Sequence, residues 1–167
     1  MNRRKLAVAA SVAVGLLSSP ASAQRADSAG ASIAGQIGFL AANNNFVEFA
    51  TGFRGGYTFP FHMYIGGDLT LYAGNNGTAV FGLAPEVGYD IGVTPRFVIR
   101  PYGGLGFVDF PGFNRDNLVL EFYPGCEFLY FVTRGFFLGG DVRLPLWFAG
   151  GGDTVGLNLM FTLGYKW

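Results

Sequence analysis

Along most of the chain, apolar residues alternate one by one with small, polar or charged ones. The clearest run is Val155 to Trp167, where Val155, Leu157, Leu159, Phe161, Leu163, Tyr165 and Trp167 interleave with Gly156, Asn158, Met160, Thr162, Gly164 and Lys166. A period of two puts the two sets on opposite faces of a β-strand. Seven earlier stretches read the same way. Ser32 to Ala41 sets Ile33, Ile37 and Phe39 against Gln36, and the next sets Val47, Phe49, Phe53, Tyr57 and Phe59 against Glu48 and Arg54. The third opposes Met63, Ile65, Leu69 and Leu71 to Tyr64, Asp68 and Tyr72, and the fourth opposes Phe81, Leu83, Val87 and Ile91 to Glu86 and Asp90. In the fifth, Ile99, Leu105 and Phe107 face away from Arg100 and Tyr102. In the sixth, Leu118, Leu120, Phe122, Cys126, Phe128 and Tyr130 face away from Glu121, Tyr123 and Glu127. The seventh opposes Phe136, Leu138, Val142, Leu144, Leu146 and Phe148 to Asp141, Arg143 and Trp147. Asn, Gly and Pro mark the connections, as at Asn43 to Asn45, Pro60 and Gly74 to Gly77. No stretch after the N-terminal leader carries a helical period.

Alternation alone does not choose between water and lipid, but the placement of charge does. Each charged residue within a strand shares its face with Gly, Ala, Thr, Asn or Tyr, and the opposite face carries none on any of the eight strands. An apolar interior would have to hold far more bulk than a barrel of this size accommodates. The reverse assignment puts small and charged residues in the lumen and the apolar face against lipid, where only closure removes unpaired strand edges. The expected fold is therefore all-β, an eight-stranded antiparallel up-and-down transmembrane β-barrel, with aromatics such as Tyr57, Tyr89, Tyr130, Tyr165 and Trp167 forming a girdle at one rim. Pro85, Pro101, Pro124 and Pro145 fall inside strands, where each removes a ladder donor, and are read as bulges or strand bends.

Composition adds location. Arg3, Arg4 and Lys5 precede the apolar run Leu6 to Leu17, and Ala21-Ser22-Ala23 offers small residues for cleavage, so residues 1–23 read as a secretory signal peptide cut before Gln24. The apolar run of 12 residues is too short to span a bilayer, which takes about 20. The division is thus 1–23 signal peptide, 24–31 short periplasmic segment and 32–167 barrel. After cleavage, eight basic residues face 11 acidic ones, a net charge of −3 that argues against a nucleic-acid partner. Cys126, the single cysteine, has no disulfide partner within the chain and reads as a small apolar filler.

A last strand of this kind, closing on Trp167, resembles the C-terminal signature of bacterial outer-membrane β-barrels. That resemblance implies that Phe161, Leu163, Tyr165 and Trp167 are read by the barrel-insertion machinery. The signal peptide, eight strands and terminal aromatic together resemble the small eight-stranded outer-membrane proteins, namely the transmembrane domain of outer-membrane protein A and outer-membrane protein X. This implies a monomer in the bacterial outer membrane, in contact with its lipid and lipopolysaccharide, with both termini periplasmic. The connections at 42 to 46, 74 to 78, 109 to 116 and 149 to 153 would face outside, and they are shorter than is usual in that class.

The candidate site is the lumen. Folding the strands as consecutive hairpins brings Arg54 close to Asp68, sets Arg100 between Glu86 or Asp90 on one side and Glu127 on the other, and places Arg143 near Glu127 and Asp141. Such a network reads either as a plug of compensating salt bridges in a structural, envelope-integrity protein, or as the lining of a narrow pore for ions or small solutes. Tyr64, Tyr72, Tyr102, Tyr123 and Trp147 either fill the barrel or line a small-molecule pocket. Small barrels that modify lipid A would need a histidine and a serine near the outer leaflet. Here His62 sits beside the Pro60 turn and Ser28 and Ser32 at the opposite end from the long loops, so no catalytic residues are expected. No His or Cys cluster and no glycine-rich turn before a helix points to a metal or cofactor.

Overall fold

The computed structural model describes residues 28–42, 46–73, 79–109, 118–149 and 152–167. The expected signal peptide, and the tips of the four connections expected to face outside, lie beyond the described residues. Ten strand segments follow in order: β1 (Gly30–Ala42), β2 (Phe46–Thr58), β3 (Met63–Ala73), β4 (Ala79–Tyr89), β5 (Ile91–Thr94), β6 (Phe97–Asp109), β7 (Leu118–Phe131), β8 (Phe136–Arg143), β9 (Leu146–Ala149) and β10 (Gly152–Lys166). They make eight staves, because β4 and β5 are one stave interrupted at Asp90, and β8 and β9 are one stave interrupted at Leu144 and Pro145. Every stave pairs antiparallel with its neighbours in sequence, and β1 pairs with β10, so the sheet closes into a ring.

The register fixes the shape of the barrel. Starting at Glu48, the paired residues run Leu40, Asn158, Arg143, Gly125, Tyr102, Gly88 and Tyr64, and return to the starting strand at Thr58. The displacement of ten residues is the shear of this eight-stave barrel, and it tilts the strands by roughly 40°. A ring of eight strands spaced ~4.8 Å apart has room inside for side chains and little else.

The prolines correct one expectation. Pairing passes Pro85, Pro101, Pro124 and Pro145 without any shift of register. The ladder stays in register past each of them, so each proline removes only its own N–H donor. Pro145 does interrupt its stave, as a bend would, while the Leu144 N–H still donates to the Pro124 carbonyl (3.0 Å) and the Gly156 N–H to the Pro145 carbonyl (2.8 Å). Among the described residues the register shifts elsewhere, between Gly92 and Thr94 on β5. At the turn end, His62 adopts a φ of 68° to close the β2–β3 connection, with its N–H donating to the Phe59 carbonyl. Both chain ends lie at this same end of the barrel, where the Trp167 N–H donates to the Ala31 carbonyl (3.0 Å).

The faces fall as the alternation requires. Ile33, Ile37, Phe53, Leu83, Val87, Leu105, Leu159 and Phe161 are exposed on the outside, while every described charge from the strands' other face is buried within. Aromatics of the inner wall lie over glycines of the next strand. Tyr102 pairs with Gly125 and Tyr123 with Gly104, and a methyl group on either glycine would collide with the facing ring.

On the outside, Gly35, Gly55, Gly67, Pro85, Gly103, Pro124 and Gly140 occupy seven of the eight staves. Gly55 is paired with Gly67, Gly67 with Pro85, and Gly103 with Pro124. Gly140 likewise stands directly opposite Phe161 of β10, and the four remaining steps lie two to four residues off strict register, always towards the turn end, together making up the shear of ten. The path therefore closes on itself at one height as a belt of small side chains, broken only by Phe161 on β10. At Gly140 it deepens into a shallow apolar groove of about 350 Å³ flanked by Phe39, Phe128 and Phe161.

Candidate functional site

The lumen is packed in tiers. Towards the loop end, Leu40, Ala50, Tyr72, Val80, Val108, Trp147 and Met160 form an apolar cluster. Towards the turn end, Ala34, Val98, Leu129, Phe131 and Phe137 form another. Between them and beside the second lies a continuous ion-pair network built from residues of β2, β3, β4, β6, β7, β8 and β10.

Arg54 is its centre. Its guanidinium lies 2.9 Å from Glu86, 3.1 Å from Asp141, 3.3 Å from Glu127 and 3.7 Å from Asp68, and it also donates to the Tyr102 hydroxyl at 2.9 Å while resting over that ring. The Tyr102 hydroxyl in turn donates to Asp141 at 2.6 Å. Arg143 bridges Asp68 (2.8 Å) and Asp141 (3.0 Å), donates to the Gln36 side-chain carbonyl at 3.1 Å and lies over Tyr123. Arg100 bridges Asp90 (2.5 Å) and Glu127 (3.0 Å) and stacks over Tyr64, its guanidinium carbon 3.9 Å from the ring centre. Lys166 closes the chain at the turn end, 3.5 Å from Asp90, with Thr58 bonded to both. Thr70 donates to Asp68, Tyr123 to Glu86 (3.0 Å) and Trp147 to Glu121 (3.0 Å).

All seven residues expected to form the lumen network are thus brought together: Arg54, Asp68, Glu86, Arg100, Glu127, Asp141 and Arg143. One alternative is decided and one expected pairing changes. Of the two acids offered to Arg100 on one side it takes Asp90, because Glu86 stands opposite Gly104, four residues further along β6. Arg143 pairs with Asp68 and Asp141 and not Glu127, because it stands opposite Gly125 and turns across the lumen. The contacts missed from sequence are the cross-lumen ones: Arg54 to Asp141 and Glu127, Arg143 to Asp68, and Lys166 to Asp90. They join staves three or four positions apart in the ring, so hairpin register alone does not reveal them. The one signal for them was that all these charges share a single face.

All five aromatics are buried in the lumen: Tyr64, Tyr102 and Tyr123 lie against the network, whereas Tyr72, which accepts from Asn158, and Trp147, which donates to Glu121, belong to the apolar cluster at the loop end, so they fill the barrel. Cys126 is free and half-buried. Phe161, Leu163, Tyr165 and Trp167 are exposed on the outer face, with Tyr165 stacked on Trp167. Among the described residues no group of His, Cys, Asp and Glu forms a metal site.

No protein-family model matches the sequence, and no curated protein matches it either. The fold has clear counterparts among solved structures. Neisserial surface protein A matches with a TM-score of 0.64 at 12% identity over 83% of this chain and 97% of that one. The N-terminal β-barrel domain of Pseudomonas aeruginosa OprF matches with a TM-score of 0.56 at 14% identity, over 80% of this chain and 96% of that domain. The architecture is that of a small outer-membrane β-barrel.

Proposed function

We propose that the protein is a non-enzymatic, structural component of the bacterial outer membrane, a monomeric barrel whose lumen is plugged and does not conduct. The observation that carries this is the unbroken run of ion pairs from Arg143 through Asp68, Asp141, Arg54, Glu127, Arg100 and Asp90 to Lys166, with apolar clusters towards both ends. An aqueous path needs side chains that hold water between them, whereas these hold one another. Residues 1–23 act as the export signal, the exposed aromatic edge at Phe161, Leu163, Tyr165 and Trp167 as the signal for the insertion machinery, and the turn end faces the periplasm. The apolar outer face binds outer-membrane lipid, including lipopolysaccharide.

Single-channel recording on the refolded mature chain in planar bilayers tests this reading. Wild type is silent, and an Arg100→Ala, Arg143→Ala variant, which opens the network at both ends, leaks. Steady ion-selective current through wild type would replace the plug with the narrow pore.

A further inference from the structure

The outer belt is uneven at one position. Gly140 on β8 is paired with Phe128 of β7 on one side and with Phe161 of β10 on the other, and no other member of the belt has a phenylalanine at both. A residue without a side chain between two rings makes a slot. The walls rise from backbones two strand spacings apart, ~9.6 Å, which admits one polymethylene chain and excludes an α-helix, about 10–12 Å across. Ile37, Phe39, Val142 and Leu159 complete the lining. Asp141, which also borders the slot, is buried in the lumen network, so no polar side chain reaches it.

The end of the barrel below this slot carries positive charge. The bend at 132–135 joins β7 to β8 and exposes Arg134, and the neighbouring β5–β6 turn brings Arg96 alongside, its carbonyl accepting from the Phe131 N–H at 2.8 Å. Among the described residues no acidic side chain is exposed at this end, Asp90 being buried against Arg100 and Lys166. The loop end has the opposite sign, with Asp109 exposed and Glu48 and Glu121 buried just inside. Gly140 and Arg134 are 140 − 134 = 6 residues apart, which is roughly 15 Å along the barrel axis at ~3.3 Å per residue and a tilt of roughly 40°. That is half of a hydrocarbon core about 30 Å thick.

We propose that the groove binds one glycerophospholipid of the leaflet at the turn end, with the end of an acyl chain in the slot at Gly140 and the phosphate at Arg134 and Arg96. The inference rests on the outer face meeting membrane lipid, as proposed above. A guanidinium has five N–H donors, so it accommodates a phosphate beside any partner within the chain. A phosphate-bearing lipid of the opposite leaflet would instead set its charge against Asp109, Glu48 and Glu121.

For the test, the refolded mature chain in a non-ionic, phosphate-free detergent is titrated with a phosphatidylglycerol that carries a diazirine at the end of one acyl chain. Adducts are mapped by mass spectrometry after illumination. Labelling saturates at one lipid per barrel and maps to Phe128, Phe161 and the strand between them. Gly140→Leu weakens it roughly tenfold, as expected for losing the burial of about two methylenes. A Cβ at Gly140 meets only the Met160 carbonyl, at 4.0 Å, so this variant keeps the fold. Arg96→Gln with Arg134→Gln weakens it about tenfold as well. A diacylglycerol with the same chain, having no phosphate, labels as weakly as that double variant and ignores both substitutions. Labelling of wild type that is even around all eight staves and does not saturate overturns the proposal, as does a yield unchanged by Gly140→Leu. Unlabelled lipopolysaccharide competing as well as unlabelled phosphatidylglycerol would move the occupant to the other leaflet and overturn it too. So would a barrel that is dimeric without lipid and monomeric as Gly140→Leu, since the slot would then hold a second copy. A chain that takes up no lipid anywhere on its outside overturns the membrane-barrel reading and this site with it, whereas even labelling overturns the site alone.

Discussion

Arg54 stands at the point where four carboxylates converge, and its guanidinium is what allows them to share one small space. A buried ion pair is weak evidence for net stability, since desolvation offsets much of the attraction, but removing one partner from such a set is costly. Arg54→Met is expected to destabilise the barrel by about 3–5 kcal/mol in urea unfolding from vesicles. Adding Glu86→Gln to that variant should recover part of the loss, because one of the stranded charges goes with it; a double variant weaker than the single would contradict this account. At this scale the sequence was half legible. Arg54 opposite Asp68 follows from hairpin register and is present. Arg143 with Asp68 does not follow, because β3 and β8 face each other across the lumen and their contact depends on shear and diameter, quantities that belong to the closed ring.

The strands were the most legible level, since a period of two needs only local sequence and the burial pattern reproduces it along β1, β4, β6 and β7. The prolines are legible only in part: none sits in a bulge, while Pro145 breaks its stave as a bend would. A missing donor can be accommodated either by a bulge or by leaving one acceptor unpaired in an unbroken register, and which one occurs depends on the pairing with both neighbouring strands. The belt through Gly67, Pro85 and Gly103 was likewise invisible, because its members come to one height only once the tilt is known. Its position makes a prediction about depth. Arginine on a lipid-facing strand costs roughly 2–4 kcal/mol at the bilayer midplane and close to nothing at the rims. Gly67→Arg should therefore be far more destabilising than Tyr130→Arg near the turn end, as measured by unfolding from lipid vesicles. Equal penalties would move the belt away from the midplane.

Closure governs the whole molecule, because the first and last strands depend on each other for half of their hydrogen bonds. Gly35 and Leu163 are direct partners across that seam, both facing outward. In a Cys126→Ala background, cysteines at these two positions should oxidise to a disulfide in the folded barrel and not in urea, seen as a mobility shift without reductant, and should add about 4–5 kcal/mol by closing so long a loop. A folded barrel that fails to cross-link would place the seam elsewhere. Closure also gives the belt a meaning that its residues lack singly. Behind Gly103 and Pro124 stand Tyr102 and Tyr123, and Tyr102 carries Arg54 on its face. At this height the hydrocarbon is separated from a row of formal charges by one layer of peptide and little side-chain padding. The wall is a thin insulator there, so the screening of Arg54 from the membrane falls to the carboxylates around it. Strip one of them away, and the bilayer itself is exposed to the field.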